Sequence, residues 1–561
     1  MPGANAGAVT GSEPSVRFVA LGGLGEVGMN CAVLECDDTL LVIDCGVNFP
    51  DVDVFGVNVI LPDFRWLDEN ADRIAGVVIT HGHMDHIGAL PWLLALVDVP
   101  VYAPRFAMGL IRHQLRDHDF DDEEGLFVAE DGVPIELGPF TVEYVRSTHS
   151  IPDTYALVID TPVGRLVHTG DFKIDLTPVD EPPFDLARFS RIGDSGVRAL
   201  FSDSTNILRE GSTGSEASVR ARLLEVVPTL PGRVIMTQFS TNLFRVSAAA
   251  DAAKATGRRL MLLGRSLQRN VAIARELGLL DLPDHLIVDL DEFERVPAHQ
   301  LMVLCTGSQG EPRAALSRIA RGEFKPFRLS PGDAVIFSAR TIPGNERVIA
   351  ALEDDLVRSG ARIIRDRGLH VSGHACRDEQ ATILRLVRPK SLVPVHGDHR
   401  FLAAHADLGR THGVETAHVL DNGDVLELTA TDARVVERRE LEPAIADNAV
   451  FGTLFGETMK YRKRLGRRGV VIVWLVVDGD DGSILDGPEV LNRGAFDDHG
   501  GAIIAEARGE LVAAIERLGG RDRMNPDALD RTIRETIRRF VRDEAGTRPV
   551  IEALVRIDDG A

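Results

Sequence analysis

Cysteine is scarce in this chain and scattered. Five residues (Cys31, Cys36, Cys45, Cys305 and Cys376) are spread over 561 positions with no CxxC pair. An odd, dispersed set argues against a disulfide framework and a cysteine-based zinc site, and it fits a reducing cytoplasm. Cys45, beside Asp44, reads as a small buried thiol. Long apolar runs are lacking as well. The longest, residues 469–477, is strand-sized and far below a membrane span, so no membrane partner is expected. The start of the chain has neither a basic segment nor an apolar one after it. Residues 1–15, rich in Gly, Ala and Ser, read as a disordered leader and not as a signal peptide. Positive charge is in deficit: 62 Lys and Arg face 85 Asp and Glu, for a net charge of −23. That balance weighs against a nucleic-acid partner, whose phosphates call for cations. It does not exclude one, because bound divalent ions invert the field of a carboxylate-rich pocket. The length predicts about two to four domains.

What the chain does have is one dense cluster. His81, His83, Asp85 and His86 fall within six residues, directly after the apolar run 74–79, which predicts a buried strand. Imidazole and carboxylate are the side chains that hold zinc or manganese. His81 and His83 are two apart, so extended chain projects both to one side. Asp85 and His86 follow where Gly88 and Pro91 bracket a helix start, and they can face a second ion. Further ligand-type residues recur where apolar strands end: His149 after 141–145, Asp171 after 165–169, Asp203 after 199–201, and His396 and Asp398 after 391–395. Polar residues delivered to a common sheet edge are the usual make-up of a site.

Elsewhere the chain supplies context. Gly23, Gly25 and Gly28 form a GxGxxG after the strand 16–21, but a dinucleotide site needs a helix next. Residues 30–44 read as strand, turn and strand, so the glycines are expected to let a turn pass close to the site. Asp44 is either a turn residue or a carboxylate that orients a ligand histidine. Residues 215–361 alternate helix and strand without a fresh histidine cluster, which predicts a separate α/β domain inserted before the first resumes at 362–446. After a linker over 447–465, residues 466–561 read as strand, helix, helix and strand, a small domain for association. Residues 460–468 carry six basic residues in nine, either a solvated linker face or a phosphate contact.

With these residues in view, the chain resembles the metallo-β-lactamase superfamily, and more closely the beta-CASP nucleases of the ribonuclease J family. The matching segments are residues 21–28, 81–90, 169–171, 202–206, 306–312, 342–346, 370–375 and 394–397, in family order. The resemblance implies a four-layer αβ/βα sandwich over 16–214 and 362–446, a beta-CASP domain over 215–361, and a small α/β C-terminal domain. It implies two divalent ions per chain, zinc first and manganese or magnesium as alternatives. One would be held by His81, His83 and His149, the other by Asp85, His86 and His396, with Asp171 bridging. Asp203, His374 and His396 fall on the three beta-CASP motifs.

Chemistry adds roles to that set. Asp85 could accept the proton of an attacking water, and His374 is the best general acid for the leaving oxygen. The loop of His370, Val371, Ser372, Gly373 and His374 can present N–H groups to a phosphate. The expected function is hydrolysis of single-stranded RNA, 5′-to-3′ from 5′-monophosphate ends with internal cutting besides, in RNA maturation and decay. A homodimer or homotetramer, with other RNA-decay proteins as partners, goes with it. Three rivals stand beside this reading. A hydrolase of a small ester, thioester or β-lactam explains the cluster but not the insertion or His374. A scaffold with a vestigial site is opposed by the complete ligand set. A DNA substrate stays open, since ligands cannot sense a 2′-hydroxyl. Two departures from the family pattern bear on local contacts: Arg340 stands where small residues are common, and Asn58, near Gly56, replaces a carboxylate at a calcium position.

Overall fold

The computed structural model describes residues 13–50, 57–120, 123–342, 344–447, 450–453, 457–498 and 501–558. The first twelve residues of the expected leader and Gly56 of the expected calcium position therefore lie outside the described residues. The chain divides into two compact units, 1–48 with 61–441 and 49–60 with 442–561.

In the first unit, two sheets share a core. One has eight strands, with Val16–Gly22, Cys31–Cys36, Thr39–Ile43 and Ile74–Val78 side by side near its middle. The other has seven, with Gly164–His168, Ala199–Asp203 and Ser391–Val395 adjacent and parallel. Phe18, Leu34, Leu41 and Val78 of the first meet Phe140, Tyr144, Leu157, Phe201 and Val393 of the second in one buried cluster. The opposite face of the second sheet is covered by helices Leu186–Asp194, Arg377–Val387 and His399–Thr411, through Phe189, Leu384 and Leu408. This is the αβ/βα sandwich. Because Ser391–Val395 returns to pair with Ala199–Asp203, the α/β stretch that precedes helix Arg377–Val387 is an insertion into one sheet.

That insertion carries its own sheet of five parallel strands, in the order Arg259–Leu263, Leu301–Cys305, Val234–Thr237, Ala334–Phe337 and Arg362–Ile364. Leu301–Cys305 is buried at every position, as expected of a strand covered on both faces. The segment 306–312 meets Ile342 and Asn345 through Gln309. Gln309 donates to the Arg340 carbonyl (2.8 Å) and accepts from the Ile342 amide (2.9 Å).

The second unit contains a three-stranded sheet in which Val470–Asp478 lies between Ile484–Arg493 and Val550–Asp558. Alternate residues Val471, Val473, Leu475 and Val477 pack on helices Ala502–Glu516 and Pro526–Ala545 through Leu511, Ile515, Ile533 and Ile537. Two sequence expectations are corrected here. The strand Ile484–Arg493 was not anticipated, because the Gly487-Pro488 pair and its many polar residues disguise an edge strand. The expected linker over 447–465 is partly a helix, Glu457–Arg468, held by buried Met459 against Val57 and Ile445.

Candidate metal centre

The strand Ile74–Val78 ends in a buried edge where the chain turns outward, and His81 and His83 leave it in extended conformation before a short helix, Met84–Ile87. His149 follows Phe140–Arg146, Asp171 follows Gly164–His168, and His396 follows Ser391–Val395. Their polar atoms converge. His83 Nδ1 stands 3.0 Å from His81 Nε2 and 3.2 Å from His149 Nε2. Asp171 Oδ2 is 3.8 Å from His81 Nε2, 3.7 Å from His149 Nε2 and 3.3 Å from His86 Nε2. On the other side, His396 Nε2 is 3.4 Å from Asp85 Oδ2, and His396 Nδ1 is 3.0 Å from Asp171 Oδ1. Three four-residue groups result, His81–His83–His149–Asp171, Asp85–His86–Asp171–His396 and Asp171–Asp203–His374–His396, and Asp171 is common to all of them.

Hydrogen bonds on the far side of the rings decide which nitrogens face inward bare. His149 Nδ1 donates to the Gly373 carbonyl at 2.6 Å, and His86 Nδ1 donates to Asp44 Oδ2 at 2.8 Å. Thr80 Oγ1 donates to Asp44 at 2.9 Å, so its lone pair accepts from His81 Nδ1 at 3.0 Å. Each of the three rings is thereby turned with its Nε2 toward the cluster, the atom through which it would bind a metal. Asp44, further held by the Thr80 amide at 2.8 Å, orients His86 directly and His81 through the hydroxyl.

The residues fit a divalent cation. Asp171 Oδ1 and His396 Nε2 are buried without a hydrogen bond among the described residues, and basic nitrogens crowd within 3.2 Å of one another. Burial and the neighbouring rings hold His81 and His149 well below the ordinary imidazole range, and burial takes His83 down to about 4. Burial would lower His86 too, but the carboxylates of Asp171, Asp44 and Asp85 outweigh it and lift that ring to about 10. His396 is raised against burial in the same way by Asp171 and Asp203. The cluster thus pairs a neutral, imidazole-rich half with a carboxylate-rich half that draws positive charge.

His374 forms a separate element. Its Nδ1 lies 2.9 Å from Asp203 Oδ2, and its side chain is 20% exposed where Asp203 is fully buried. Asp203 is fixed by the Thr205 amide (2.9 Å) and hydroxyl (2.8 Å). Burial disfavours charge on His374, yet Asp203 and Asp171 raise its pKa above the usual imidazole value.

The loop 370–374 is drawn tight around the site. Ser372 Oγ accepts from Asn206 Nδ2 (2.8 Å) and from the His374 amide (3.2 Å), which leaves its own proton directed elsewhere. The Val371 carbonyl accepts from Arg245 (2.8 Å). Burial and the nearby Arg245 and Arg340 push His370 down to about 2. At Gly373 a Cβ would lie 2.5 Å from His149 Cε1, so the loop can reach the ligand ring only as glycine.

The residues implied as ligands are all brought together, whereas Asp398, offered by the same strand-end pattern, pairs with Arg400 at 3.1 Å instead. Sequence reasoning missed the supports, Thr80, Asn206, Gly373 as an acceptor, and Asn30, whose Nδ2 is 3.0 Å from His86 Nε2. It also missed that Asp44 (φ 58°) and His396 (φ 53°) are in left-handed backbone. The glycine turn runs beside the site, with Leu24 and Glu26 bridging to Gly397.

Comparison with known proteins adds the following. Four family models match in chain order: Metallo-beta-lactamase superfamily over residues 24–234, Ribonuclease J, beta-CASP domain over 231–356, Zn-dependent metallo-hydrolase RNA specificity domain over 365–419, and Ribonuclease J C-terminal domain over 457–556. The chain is 35% identical over 549 residues to Ribonuclease J 1 of Streptococcus pyogenes, covering 97% of this chain and 98% of that protein. It is 38% identical over 551 residues to Ribonuclease J of Sinorhizobium meliloti (97% of each). To Ribonuclease J of Synechocystis it is 37% identical over 562 residues, 97% of this chain and 87% of that protein. A crystal structure of a protein of unknown function from Enterococcus faecalis is similar in fold alone, with a TM-score of 0.52 at 16% identity over 74% of this chain and 100% of that one.

Proposed function

Because the chain belongs to the ribonuclease J family and is a metal-dependent ribonuclease, we propose that its cluster holds two divalent ions, zinc foremost, and that it degrades single-stranded RNA from 5′-monophosphate ends. The observation that carries the ion count is that two of the ligand groups share Asp171 alone, while the third, with Asp203 and His374, reuses both Asp171 and His396 and so offers no separate ion position. His81, His83 and His149 hold one ion, and Asp85, His86 and His396 the other. Imidazole-rich donor sets suit zinc or manganese better than magnesium, which prefers oxygen. When bound, such ions supply a nucleophile at neutral pH and offset charge at the phosphorus.

The chain's own residues do the rest. Asp85 is placed to take a proton from the attacking water. His374, whose protonated form Asp203 favours, gives one to the leaving oxygen. The 5′ phosphate is received by the loop of His370, Val371, Ser372, Gly373 and His374. Among the described residues the Ser372 and Gly373 amides have no acceptor, and the Ser372 hydroxyl has a proton to donate. Such a pocket takes a monophosphate, is overfilled by a triphosphate, and is left with unpaired donors by a hydroxyl. Internal cutting persists as a second mode, because the ions themselves do not require an end.

Association is assigned to the second unit. Trp474 and Leu554 pair across strands on the face turned away from its helices and are 38% and 56% exposed, with Leu491 (39%) beside them. A homodimer or homotetramer would cover that face. The test of the main reading is hydrolysis of 5′- and 3′-labelled RNAs carrying 5′-monophosphate, triphosphate or hydroxyl ends, with a DNA of the same sequence. Stepwise mononucleotide release, fastest from the monophosphate, is expected. Equal rates on all three ends refute the pocket.

A further inference from the structure

The helix Glu457–Arg468 holds six of the chain's 62 cations in twelve residues. Their spacing is the informative part. Lys460, Lys463, Arg464, Arg467 and Arg468 stand at i, i+3, i+4, i+7 and i+8, which places all five on one face. The remaining face carries Met459, Arg462 and Leu465. Met459 is buried, and Arg462 and Leu465 are half-buried, whereas on the basic face Lys460, Arg464, Arg467 and Arg468 are exposed and Lys463 is half-buried. Tyr461, at the boundary, donates its hydroxyl to Glu552 of the strand Val550–Asp558. The helix is therefore seated by one side and offers a basic stripe on the other.

The stripe is also left without counter-charge. Lys460 is paired with Glu457 at 2.8 Å, but among the described residues Lys463, Arg464, Arg467 and Arg468 have no ion pair or hydrogen-bond partner through their side chains. This occurs in a chain with 85 carboxylates for 62 cations, where other arginines such as Arg434, Arg438 and Arg439 each have an acidic partner. Supplying the missing carboxylates would have stabilised the helix by familiar i,i+4 pairing. A polyanion brought from outside would instead find five cations aligned over about 12 Å of helix. At the roughly 3.4 Å rise per phosphate of a stacked strand, that length matches about three to four phosphates.

We infer that this helix is a second RNA-docking surface, which grips the backbone of a long substrate without reading its sequence. The inference rests on the ribonuclease reading above. It also accounts for how a protein of net charge −23 retains a polyanion once the substrate extends beyond the metal cluster.

The test uses the full chain and a single-stranded 2′-O-methyl RNA of about thirty nucleotides, which resists cleavage. Binding is followed by fluorescence anisotropy across a salt series. The variant Arg464→Gln/Arg467→Gln/Arg468→Gln removes three unpaired cations. Arg508→Gln/Arg517→Gln/Arg521→Gln, at exposed positions elsewhere in the same unit, changes the net charge equally. With about 0.7 of slope per phosphate on a single strand, the first variant should flatten log K against log salt by about 2. At 0.1 M salt it should bind on the order of tenfold to a hundredfold more weakly, and the control variant should follow the unaltered protein. An unchanged slope, or the same change in both variants, overturns the inference. So does a fall in oligomer mass specific to the first variant, which would make the stripe a contact for the acidic surface of a second copy. Cleavage of a short RNA separates the two readings. It should be equal in all three proteins, and absence of cleavage in the unaltered protein would refute the ribonuclease reading instead.

Discussion

Replacing Asp44 by Asn should uncouple the cluster from its metal while leaving the fold in place. The carboxylate receives three donors: the Thr80 amide at 2.8 Å on one oxygen, His86 Nδ1 at 2.8 Å on the other, and the Thr80 hydroxyl at 2.9 Å. An amide has one oxygen. If its nitrogen took the first position it would face the Thr80 N–H, donor against donor. It must therefore take the second, beside His86. There the amide donates to His86 Nδ1, and the imidazole proton moves to Nε2, the atom that lies 3.3 Å from Asp171. A ring protonated at that nitrogen cannot act as a ligand through it. Loss of such an outer partner costs about 10- to 100-fold in metal affinity or activity, about 1.4–2.7 kcal/mol. Asn tolerates the left-handed backbone at this position, so the melting temperature should fall little. Asp44→Ala differs. It leaves buried donors unpaired at about 1–3 kcal/mol and adds left-handed strain of about 1–2 kcal/mol, so it should destabilise as well. Competition of the apo-protein with a chromophoric zinc chelator, run beside RNA cleavage, measures both effects. An Asn variant with unaltered zinc affinity and cleavage rate would refute the tautomer argument.

Three further outcomes are expected. Gly373→Ala places a Cβ within 2.7 Å of two ring atoms of His149, so cleavage should fall at least about tenfold and zinc affinity with it, read by the same chelator titration. His374→Asn should lower kcat by about 10²- to 10⁴-fold while metal content, measured by elemental analysis, stays level; parallel loss of metal would make His374 a ligand. Glu181 lines a cavity of about 250 Å3 with Arg105, Arg146, Asp153 and Asp180, and burial lifts its carboxyl to about 8 against the opposing pull of Arg146 and Lys173. The folded state then binds the extra proton between about pH 4.5 and 8, so this group's contribution to stability declines as pH rises through that window. Glu181→Gln should accordingly be the more stable protein by about 1–3 kcal/mol at pH 8 and equal to the unaltered chain at pH 4, by thermal unfolding; no pH-dependent difference would show that Glu181 ionises freely.

The cluster was legible because its residues share one local logic, an apolar strand followed at once by a ligand-type side chain. His81, His149, Asp171, Asp203 and His396 all obey it, and the insertion was legible because His396 returns after a long stretch of different texture. What orients them was not legible. The Gly373 carbonyl reaches His149 across 224 residues, and no local pattern announces a backbone acceptor. Thr80 and Asn206 are ordinary polar residues until the fold brings Asp44 and Ser372 to them. The Asp44 alternative, turn or orienting carboxylate, was really both, since its positive φ turns the chain while its oxygens hold His86. In the second unit, the strand Ile484–Arg493 and the helix Glu457–Arg468 escaped for a different reason. Both are polar along much of their length and hold on through few buried side chains, so hydrophobic periodicity gave little sign of them.

The strand Ser391–Val395 closes the sheet that Ala199–Asp203 leaves open, and this has a bearing on the birth of the protein. His81, His83, Asp85, His86, His149 and Asp171 emerge from the ribosome early, but His396 follows Asp171 by 225 residues. At about 5–20 residues per second, that interval lasts on the order of 11–45 s. During it the nascent chain has half a centre, tethered to the very message that encodes it. Neither His396 nor the Gly373 carbonyl behind His149 has yet been made. The groups that converge on Asp171 are thereby incomplete until translation has passed the inserted domain.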